Sequence, residues 1–470
     1  MSRSAMMPFA LSLSKGCTFL LSLPKKGRAS TSSAQTAFGA LLSLVAVAIA
    51  APVTAQTVAI TGGTVVIGDG SDPIPNGTVV MRNGRVVSAG AGTTVPAGAE
   101  TIDATGRWVT PGIVGGFTRL GLVEVSAVSG TNDTSAGESP FSAALDVTPA
   151  VNPLSSAIAT NRAGGVTRAV VAPDTSGDSL FGGQGAIIDL GADMDAVMRP
   201  RAFQFIELGE TGASRAGGSR AASYAMLRNA LQQAQRYAAN PNGYGGGSTD
   251  DLLNRLDAAA LVPVVQGRTP LFVHVEQARD ILNAIQLRDE FPRLRLVLVG
   301  VSEGWTVASQ IAQSGVPVIA SALNDLPAQF ERLASTQSNI GRMRAAGVDV
   351  AIGMIDDNDT HLVRYSTQYA GNLVALQRIP GASGVSWGEA FALISSRPAE
   401  IMGLGDEIGS LRAGRRADVV IWDGDPLELT SNVDAMYIDG VEQPLVTRQS
   451  RLRDRYLRTD ESDLPQAYEW

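Results

Sequence analysis

Short segments rich in Val, Ile and Thr alternate with tight turns over the first part of the chain's main body. Gly62-Gly63, Asn76-Gly77 and Asn83-Gly84 separate these segments, and Asn-Gly is among the strongest short-range indications of a β-hairpin. The segments themselves are Val58–Thr61, Thr64–Ile67, Thr78–Arg82 and Arg85–Ser88. We therefore expect an antiparallel β unit at residues 56–110.

After residue 110 the pattern changes to apolar runs that alternate with helical stretches. Two helix-like stretches are Glu276–Arg288 and Glu303–Gln313. The apolar runs are Val166–Pro173, Pro270–Val275, Leu294–Gly300, Val316–Ser321 and Val348–Gly353. Buried strands separated by helices form a parallel sheet with right-handed crossovers. Residues 111–408 have room for about eight such units, which predicts an α/β fold with a (β/α)8 TIM barrel.

The β pattern returns at residues 409–447, and a polar, Arg-rich tail follows at 448–470, which we expect to be solvated or frayed. Inside the barrel region, residues 209–250 differ because glycine is dense in Gly212–Gly218 and Asn240–Ser248. Such segments order poorly, so we expect a mobile insertion over one end of the barrel. A lid and a disordered insert are both open interpretations of it.

The N-terminus has the pattern of a secretory signal. A basic segment, Lys25–Arg28, precedes the apolar run Phe38–Ala51, and small residues follow up to Ala55. The run is too short for a membrane anchor, which needs about 20 apolar residues. We expect residues 1–55 to be a signal peptide with an N-terminal extension that is cut after Ala55. The mature protein would then be periplasmic or secreted. The extension leaves the true start codon open.

Removal of this segment changes the charge of the protein. Residues 1–55 carry five basic and no acidic residues, so cleavage takes the net charge from −8 to −13. An acidic body argues against a nucleic-acid partner, because phosphate binding requires a basic face. The only cysteine, Cys17, leaves with the signal, so the mature chain has no disulfide and no thiolate ligand. We expect no integral membrane segment after cleavage.

Motifs at both ends of the barrel region resemble those of the amidohydrolase superfamily. Residues 110–121 read Thr-Pro-Gly-Ile-Val-Gly-Gly-Phe-Thr-Arg-Leu-Gly, similar to a first barrel strand of the form Pro-Gly-Leu-Ile-Asp-x-His-x-His-Leu-Gly. Further matching segments are Asp103–Gly112, Ser395–Leu404 and Ile408–Leu427, and Gly164–Thr167 and Phe181–Ala186 resemble the imidazolonepropionase-like branch. The resemblance implies a distorted barrel with a small composite β-sandwich domain built from the N- and C-terminal segments.

The resemblance also implies a metal at the C-terminal ends of the barrel strands, where metal-bound hydroxide attacks a carbon–nitrogen bond. The implied ligands are two His on strand one, a carboxylated Lys or Glu on strand four, His on strands five and six, and Asp on strand eight. Four His ligands are impossible here, because the chain has only two histidines. Phe117 and Arg119 stand at the strand-one positions, and the fixed charge of Arg119 repels a metal.

The remaining candidate ligands are few. His274 falls at the strand-five position, and Gly300 or Val301 stands where strand six would carry its His. Asp356 or Asp357 matches the strand-eight Asp. All three lysines lie at 15, 25 and 26, so none is available on strand four. A Glu such as Glu207 is a substitute for it, with no sequence evidence for its placement.

His274 with Asp356 or Asp357 is the candidate catalytic group, which Glu303 or His361 would complete. One His and a carboxylate bind a metal weakly, with His274 and Asp356 as the ligands, or act as a metal-free acid/base pair. The alternative is that His274 is a hydrogen-bonded remnant and the aspartates are a polar strand end. Arg119 is a candidate for binding a substrate carboxylate, although we expect internal pairing because a buried charge needs a partner.

Two functions remain open from the sequence. One is an exported hydrolase that acts on the carbon–nitrogen bond of a non-peptide amide or lactam with a degenerate metal site. The other is a catalytically inactive binding or regulatory protein on the same barrel, which would work in a hetero-oligomer with an active relative. For either function the protein is a candidate homo- or hetero-oligomer. The partner in either case is a small molecule, and the cofactor is at most one divalent metal such as zinc, or none.

Overall fold

The structure is a computed structural model that describes residues 57–244, 252–322, 324–355 and 360–457. The predicted signal segment, Asp356, Asp357, part of the Gly-rich insert and the end of the tail lie outside the described residues. None of the helices in the described ranges is long and apolar enough to cross a membrane.

Sixteen strands in the described residues form two sheets of eight. The strands are β1 (Thr57–Val65), β2 (Ile74–Arg82), β3 (Arg85–Gly90), β4 (Glu100–Asp103), β5 (Trp108–Pro111), β6 (Ile113–Thr118), β7 (Val166–Val171), β8 (Phe181–Asp189), β9 (Val197–Glu207), β10 (Leu271–Val275), β11 (Leu296–Gly300), β12 (Val318–Ala320), β13 (Val350–Ile352), β14 (Val419–Trp422), β15 (Val433–Ile438) and β16 (Val441–Glu442).

The α-helices of the same ranges lie mainly between the strands of the second sheet. They are α1 (Ser156–Arg162), α2 (Gly209–Arg215), α3 (Arg220–Ala239), α4 (Arg255–Val265), α5 (Ala278–Glu290), α6 (Ala308–Ser314), α7 (Asn339–Ala345), α8 (Ser366–Ala375), α9 (Trp387–Ala392), α10 (Ser396–Ile401) and α11 (Arg448–Tyr456).

The first sheet joins the two ends of the described chain, as predicted. Its order is β16-β15-β14-β5-β1-β2-β3, with β4 paired to β1. The junction is the antiparallel pair of β14 and β5, in which Val420 lies opposite Thr110. A small β unit composed of N- and C-terminal segments is therefore confirmed.

Two of the three predicted turns in this sheet are wrong. Asn83-Gly84 does connect β2 to β3, but Gly63 and Gly77 lie opposite each other within the paired strands β1 and β2. The register shifts on both sides of Gly63. A Cβ atom on Gly77 would come within 2.7 Å of the Val65 side chain. These glycines therefore permit a close, irregular strand pairing rather than a chain reversal.

The second sheet is a nearly closed barrel in the order β6 to β13. Met354, just after β13, donates a backbone hydrogen bond of 2.9 Å to the carbonyl oxygen of Phe117 on β6. The barrel fold is thus confirmed, but the all-parallel arrangement is wrong at β8, which is antiparallel to both β7 and β9. No helix separates β7 from β8, and a short connection without a crossover element returns the chain antiparallel.

The barrel interior is filled by aromatic and branched side chains. Phe117, Phe203, Phe205 and Phe272 belong to one buried cluster with Ile319. The rings of Phe203 and Phe272 stack with centroids 4.1 Å apart. A packed interior leaves the open end of the barrel as the place for a ligand.

The described part of the Gly-rich insert is ordered helix, in contrast to the expected mobile insertion. Helix α3 begins after Ser219, whose hydroxyl oxygen accepts a hydrogen bond of 3.2 Å from the Ala221 amide. Its Leu227 and Leu231 side chains are fully buried in the main core. The apolar face of α3 therefore outweighs the flexibility of the glycines that precede it.

A buried arginine connects the barrel to the terminal sheet. Arg168 on β7 has no exposed side-chain surface. Its Nε and Nη2 atoms lie 2.7 and 2.8 Å from the two carboxylate oxygens of Asp418, which directly precedes β14. Asp439 lies 3.0 Å and Asp189 3.6 Å from the same guanidinium. Burial alone would lower the pKa of Arg168, but Asp418 and Asp439 raise it above its ordinary value.

We expect Arg168→Met to destabilise the protein by about 3–5 kcal/mol, because it leaves buried carboxylates without their cation. Urea unfolding of the purified protein measures this change. The control is Arg228→Met, which removes an exposed 2.8 Å pair with Glu290 and should cost about 1 kcal/mol or less. Equal losses in the two variants would contradict a special role for Arg168.

Candidate functional site

His274 lies between two carboxylates at the open end of the barrel. Its position on β10 is in register with Glu207 on β9, and its Nδ1 atom is 2.8 Å from Glu207 Oε2. Its Nε2 atom is 3.0 Å from Glu276 Oε1. Side chains two residues apart on a strand point to the same face, which explains why Glu276, just beyond β10, reaches the ring of His274.

Glu276 is itself held by two further groups. Its Oε2 atom accepts a hydrogen bond of 2.8 Å from the Ser302 amide. Its Oε1 atom lies 2.9 Å from Arg332 Nη2. A side chain on Gly300 would collide with this arrangement, since a Cβ atom there would come within 2.6 Å of Glu276 and 2.8 Å of His274. A side chain at Gly300 would therefore have to displace Glu276 or His274 from these contacts.

These contacts determine the protonation of the group. Burial alone would lower the pKa of His274, but the charge and hydrogen bonds of Glu207 and Glu276 raise it well above 6.5. Burial alone would raise the pKa of Glu276, but His274 and Arg332 lower it. Glu207 and Glu276 therefore favour the protonated form of the ring, in which both nitrogens donate.

Phe117 on β6 and Arg119 just beyond it bring an aromatic ring and a cation to the site. Phe117 is 1% exposed and packs against Phe205 with ring centroids 5.5 Å apart. Arg119 Nη2 lies 3.0 Å from Asp174 Oδ1, just beyond β7. Arg119 therefore has an internal partner in Asp174, a residue that the sequence did not indicate.

A cavity of about 290 Å³ opens between these groups. Its lining contains cations and anions above an apolar floor. The lining residues are Phe117, Arg119, Asp174, Phe205, Glu207, Thr211, Arg215, His274, Gln329, Glu331, Arg332 and Ile355. Burial raises the pKa of Glu331. We call this space the mouth cavity.

Two further candidates have structural roles outside the mouth cavity. The carboxylate of Glu303 accepts hydrogen bonds from the Ala278 and Ala334 amides at 3.0 and 3.1 Å. It therefore joins the start of α5 to the loop that carries Arg332. The backbone carbonyl oxygen of His361 accepts a hydrogen bond of 2.8 Å from the Asn161 side-chain amide. Neither side chain lines the cavity.

Within the described residues, no group of three His, Cys, Asp or Glu side chains is arranged to hold a metal ion. Glu207 and Glu276 bind opposite nitrogens of His274, so their oxygens lie on opposite sides of the ring instead of around one point. Each ring nitrogen already has a carboxylate partner, so a metal at His274 would have to displace one of them. The side chains described at the mouth cavity therefore do not fit a divalent metal.

The sequence left most of this site undetected. Glu207 was a candidate without a placement, and the structure places it beside His274. Glu276 could have been found from its position two residues after His274. Glu331 and Arg332 come from the long connection after β12, where no periodicity indicates which side chain points inward.

We expect His274 to titrate well above pH 6.5. His361→Gln leaves a single imidazole in the mature chain, so NMR of the His274 ring reports its protonation directly. Because the folded pKa exceeds the ordinary value, protonation stabilises the fold fully below about pH 6.5, and this stabilisation is lost as the pH rises through the folded pKa.

Adding Glu207→Gln to that variant should lower the midpoint of the titration, since it removes one negative charge at 2.8 Å. A matched Glu210→Gln change, at a residue absent from the cavity lining, should leave the midpoint nearly unchanged. An imidazole that titrates near 6.5 in the parent would refute the assignment.

This chain is similar in sequence to known proteins of the amidohydrolase family. A model of the amidohydrolase family matches residues 295–442. The chain is 24% identical to amidohydrolase tasK of Hapsidospora irregularis over 385 residues, which is 74% of this chain and 38% of that protein. It is 29% identical to imidazolonepropionase of Maricaulis maris (strain MCS10) over 199 residues, 42% and 45% of the two chains. The matches thus cover less than half the length of either relative.

Solved structures extend the likeness to the whole barrel. An amidohydrolase from Thermotoga maritima MSB8 superposes with a TM-score of 0.71 at 25% identity, over 83% of this chain and all of that one. A prolidase complexed with n-methylphosphonate-l-proline has a TM-score of 0.51 at 17% identity, over 84% of this chain and all of that one, and shows the fold alone. Together with the barrel, its terminal sheet and the motifs at its ends, these matches show that the chain belongs to the amidohydrolase superfamily.

Proposed function

We propose that this chain is a member of the hydrolase lineage that binds a small carboxylate-bearing molecule at the barrel mouth and no longer uses a divalent metal. The observation that carries the proposal is the pairing of both His274 nitrogens with carboxylates, at 2.8 and 3.0 Å. A metal at His274 would have to break one of these buried charge-assisted bonds, which are among the stronger hydrogen bonds in proteins.

The side chains around His274 support the same conclusion. The positions that carry metal-binding His in relatives with an intact motif hold Phe117 and Arg119 here. A side chain at Gly300 would have to displace Glu276 or His274. Arg119 and Arg332 bring fixed positive charge to the cavity, which disfavours a divalent cation. A ligand carboxylate is the group that such a site favours, since guanidinium groups pair with carboxylates in a bidentate geometry.

We expect the purified mature protein to retain far less than one equivalent of zinc after incubation with zinc and gel filtration. Elemental analysis measures the content. His274→Ala is the control, and its metal content should equal that of the parent. Stoichiometric metal in the parent that is lost in His274→Ala would overturn the proposal and favour metal-dependent hydrolysis.

Metal-free hydrolysis of an amide or lactam is the second candidate function. Glu331 favours it, because burial raises the pKa of its carboxyl and a carboxyl that faces the mouth cavity is a candidate general acid. We expect no turnover on a panel of amides, lactams and dipeptides. Turnover abolished by Asp356→Asn, Asp357→Asn or Glu331→Gln, with no metal present, would establish the hydrolase instead.

We further propose that the protein is exported. The basic segment, apolar run and small-residue approach to Ala55 support cleavage there. Expression of the full chain in a Gram-negative host and N-terminal sequencing of the periplasmic fraction should give Gln56 as the first residue. Ala55→Arg should block processing, while retention of the intact N-terminus in the unaltered chain would contradict export with cleavage.

A further inference from the structure

We propose that the mouth cavity binds a free amino acid with an apolar side chain, and that it holds the ammonium of this ligand as well as the carboxylate. The inference rests on the proposed carboxylate binding at the barrel mouth and names the ligand class. It follows from charged groups of both signs that line the cavity and are not fully partnered within the described residues.

Two arginines of the cavity lining already have an acidic partner. Arg119 Nη2 lies 3.0 Å from Asp174 Oδ1. Arg332 Nη2 lies 2.9 Å from Glu276 Oε1. The charge of each of these arginines is therefore compensated within the protein.

Arg215, the third arginine of the lining, has no acidic partner among the described residues. Its Nη1 and Nη2 atoms donate to the carbonyls of Gly177 and Thr175 at 2.8 Å each, and its buried Nε atom has no partner. Carbonyl groups orient a guanidinium but do not neutralise it. Thr211 lies one turn earlier on α2 and lines the same cavity, so this face of the helix is directed at the ligand. A ligand carboxylate at Arg215 would pair a charge that the described side chains leave uncompensated.

Two carboxylates of the lining each have one oxygen with no donor in the described part of the chain. Glu207 uses its Oε2 atom for the ring of His274 at 2.8 Å. Glu331 uses its Oε2 atom for the Glu210 amide at 2.6 Å and for Arg220 at 3.4 Å. The Oε1 atoms of Glu207 and Glu331 are thus available to a donor that enters the cavity.

An ammonium group is suited to both of these oxygens, since it brings three N–H donors and a positive charge. Glu207 and Glu331 are only 6% and 4% exposed, and an ionised oxygen that is buried to this extent needs a donor. Burial raises the pKa of the Glu331 carboxyl, and a bound ammonium would offset this effect because it favours the ionised form. The cavity therefore matches both charges of an amino acid.

The floor of the cavity favours an apolar side chain. Phe117, Phe205 and Ile355 line it and are 1%, 1% and 9% exposed. The volume of about 290 Å³ accommodates a molecule of the size of leucine. Burial of an isobutyl group against this floor should favour leucine over glycine by about tenfold or more.

Calorimetric titration of the purified protein with leucine and two matched analogues tests the proposal. The analogue 4-methylpentanoate lacks only the ammonium, and 3-methylbutylamine lacks only the carboxylate. Each analogue should bind about tenfold or more weakly than leucine, because it leaves a charged group of the protein without its partner. Glycine should also bind more weakly than leucine, by the factor given above.

Two substitutions assign the two charges. Arg215→Gln should reduce the affinity for leucine to about that for 3-methylbutylamine, and it should leave the binding of 3-methylbutylamine nearly unchanged. Glu331→Gln should reduce the affinity for leucine to about that for 4-methylpentanoate, and it should leave the binding of 4-methylpentanoate nearly unchanged. Arg228→Gln is the matched control, since Arg228 is exposed and is absent from the cavity lining, and it should bind leucine as the parent does.

Equal affinity for leucine and either analogue would overturn the site for both charges, and equal affinity for leucine and glycine would overturn the apolar floor as the side-chain site. The absence of binding by leucine, valine and phenylalanine would overturn the whole inference. The analogue series uses the unaltered protein, so it is decisive even if a variant does not fold. These outcomes differ from a failure of the proposed function, which the zinc content decides independently of any amino acid.

Discussion

The pairing of Arg168 with Asp418 is the interaction on which the relation between the two sheets depends. The guanidinium belongs to a barrel strand, and the carboxylate precedes the strand that returns the chain to the N-terminal sheet. Burial of an arginine is unfavourable unless carboxylates surround it, so this group forms only when β7 and the C-terminal segment that carries Asp418 and Asp439 are both in place. The barrel and the terminal sheet therefore fold as one unit, and this unit carries the barrel mouth.

The opposite end of the barrel uses the same principle for a different purpose. His274, Glu207, Glu276 and Arg332 form a chain of alternating charges. Side chains supply the positive charge between these carboxylates. Buried carboxylates remain ionised at such a point because cations lie beside them.

The sequence predicted the architecture well because the spacing of apolar residues along the chain reflects which side chains are buried. The apolar runs at Val166–Pro173 and Leu294–Gly300 became β7 and β11, and the Asp-Val-Val-Ile-Trp run became β14. The prediction was wrong where one local sequence pattern is compatible with two different structures. Gly63 and Gly77 were predicted to form turns, but they permit close strand pairing. The glycines before α3 were predicted to be flexible, although the helix that follows them buries Leu227. In the candidate site, His274 was predicted from the resemblance to the amidohydrolase family. Asp174 and Arg332 were not predicted, because tertiary structure alone brings such loop residues into contact.

The reversed strand β8 has a consequence for how the rim of the barrel responds to changes. In a wholly parallel barrel, each rim loop leads into a helix that can shift outward. Here the rim segment between β7 and β8 is bounded on both sides by strands of the same wall, so it has no independent hinge. A change in that segment therefore acts directly on β7 and β8, the two strands that bound it.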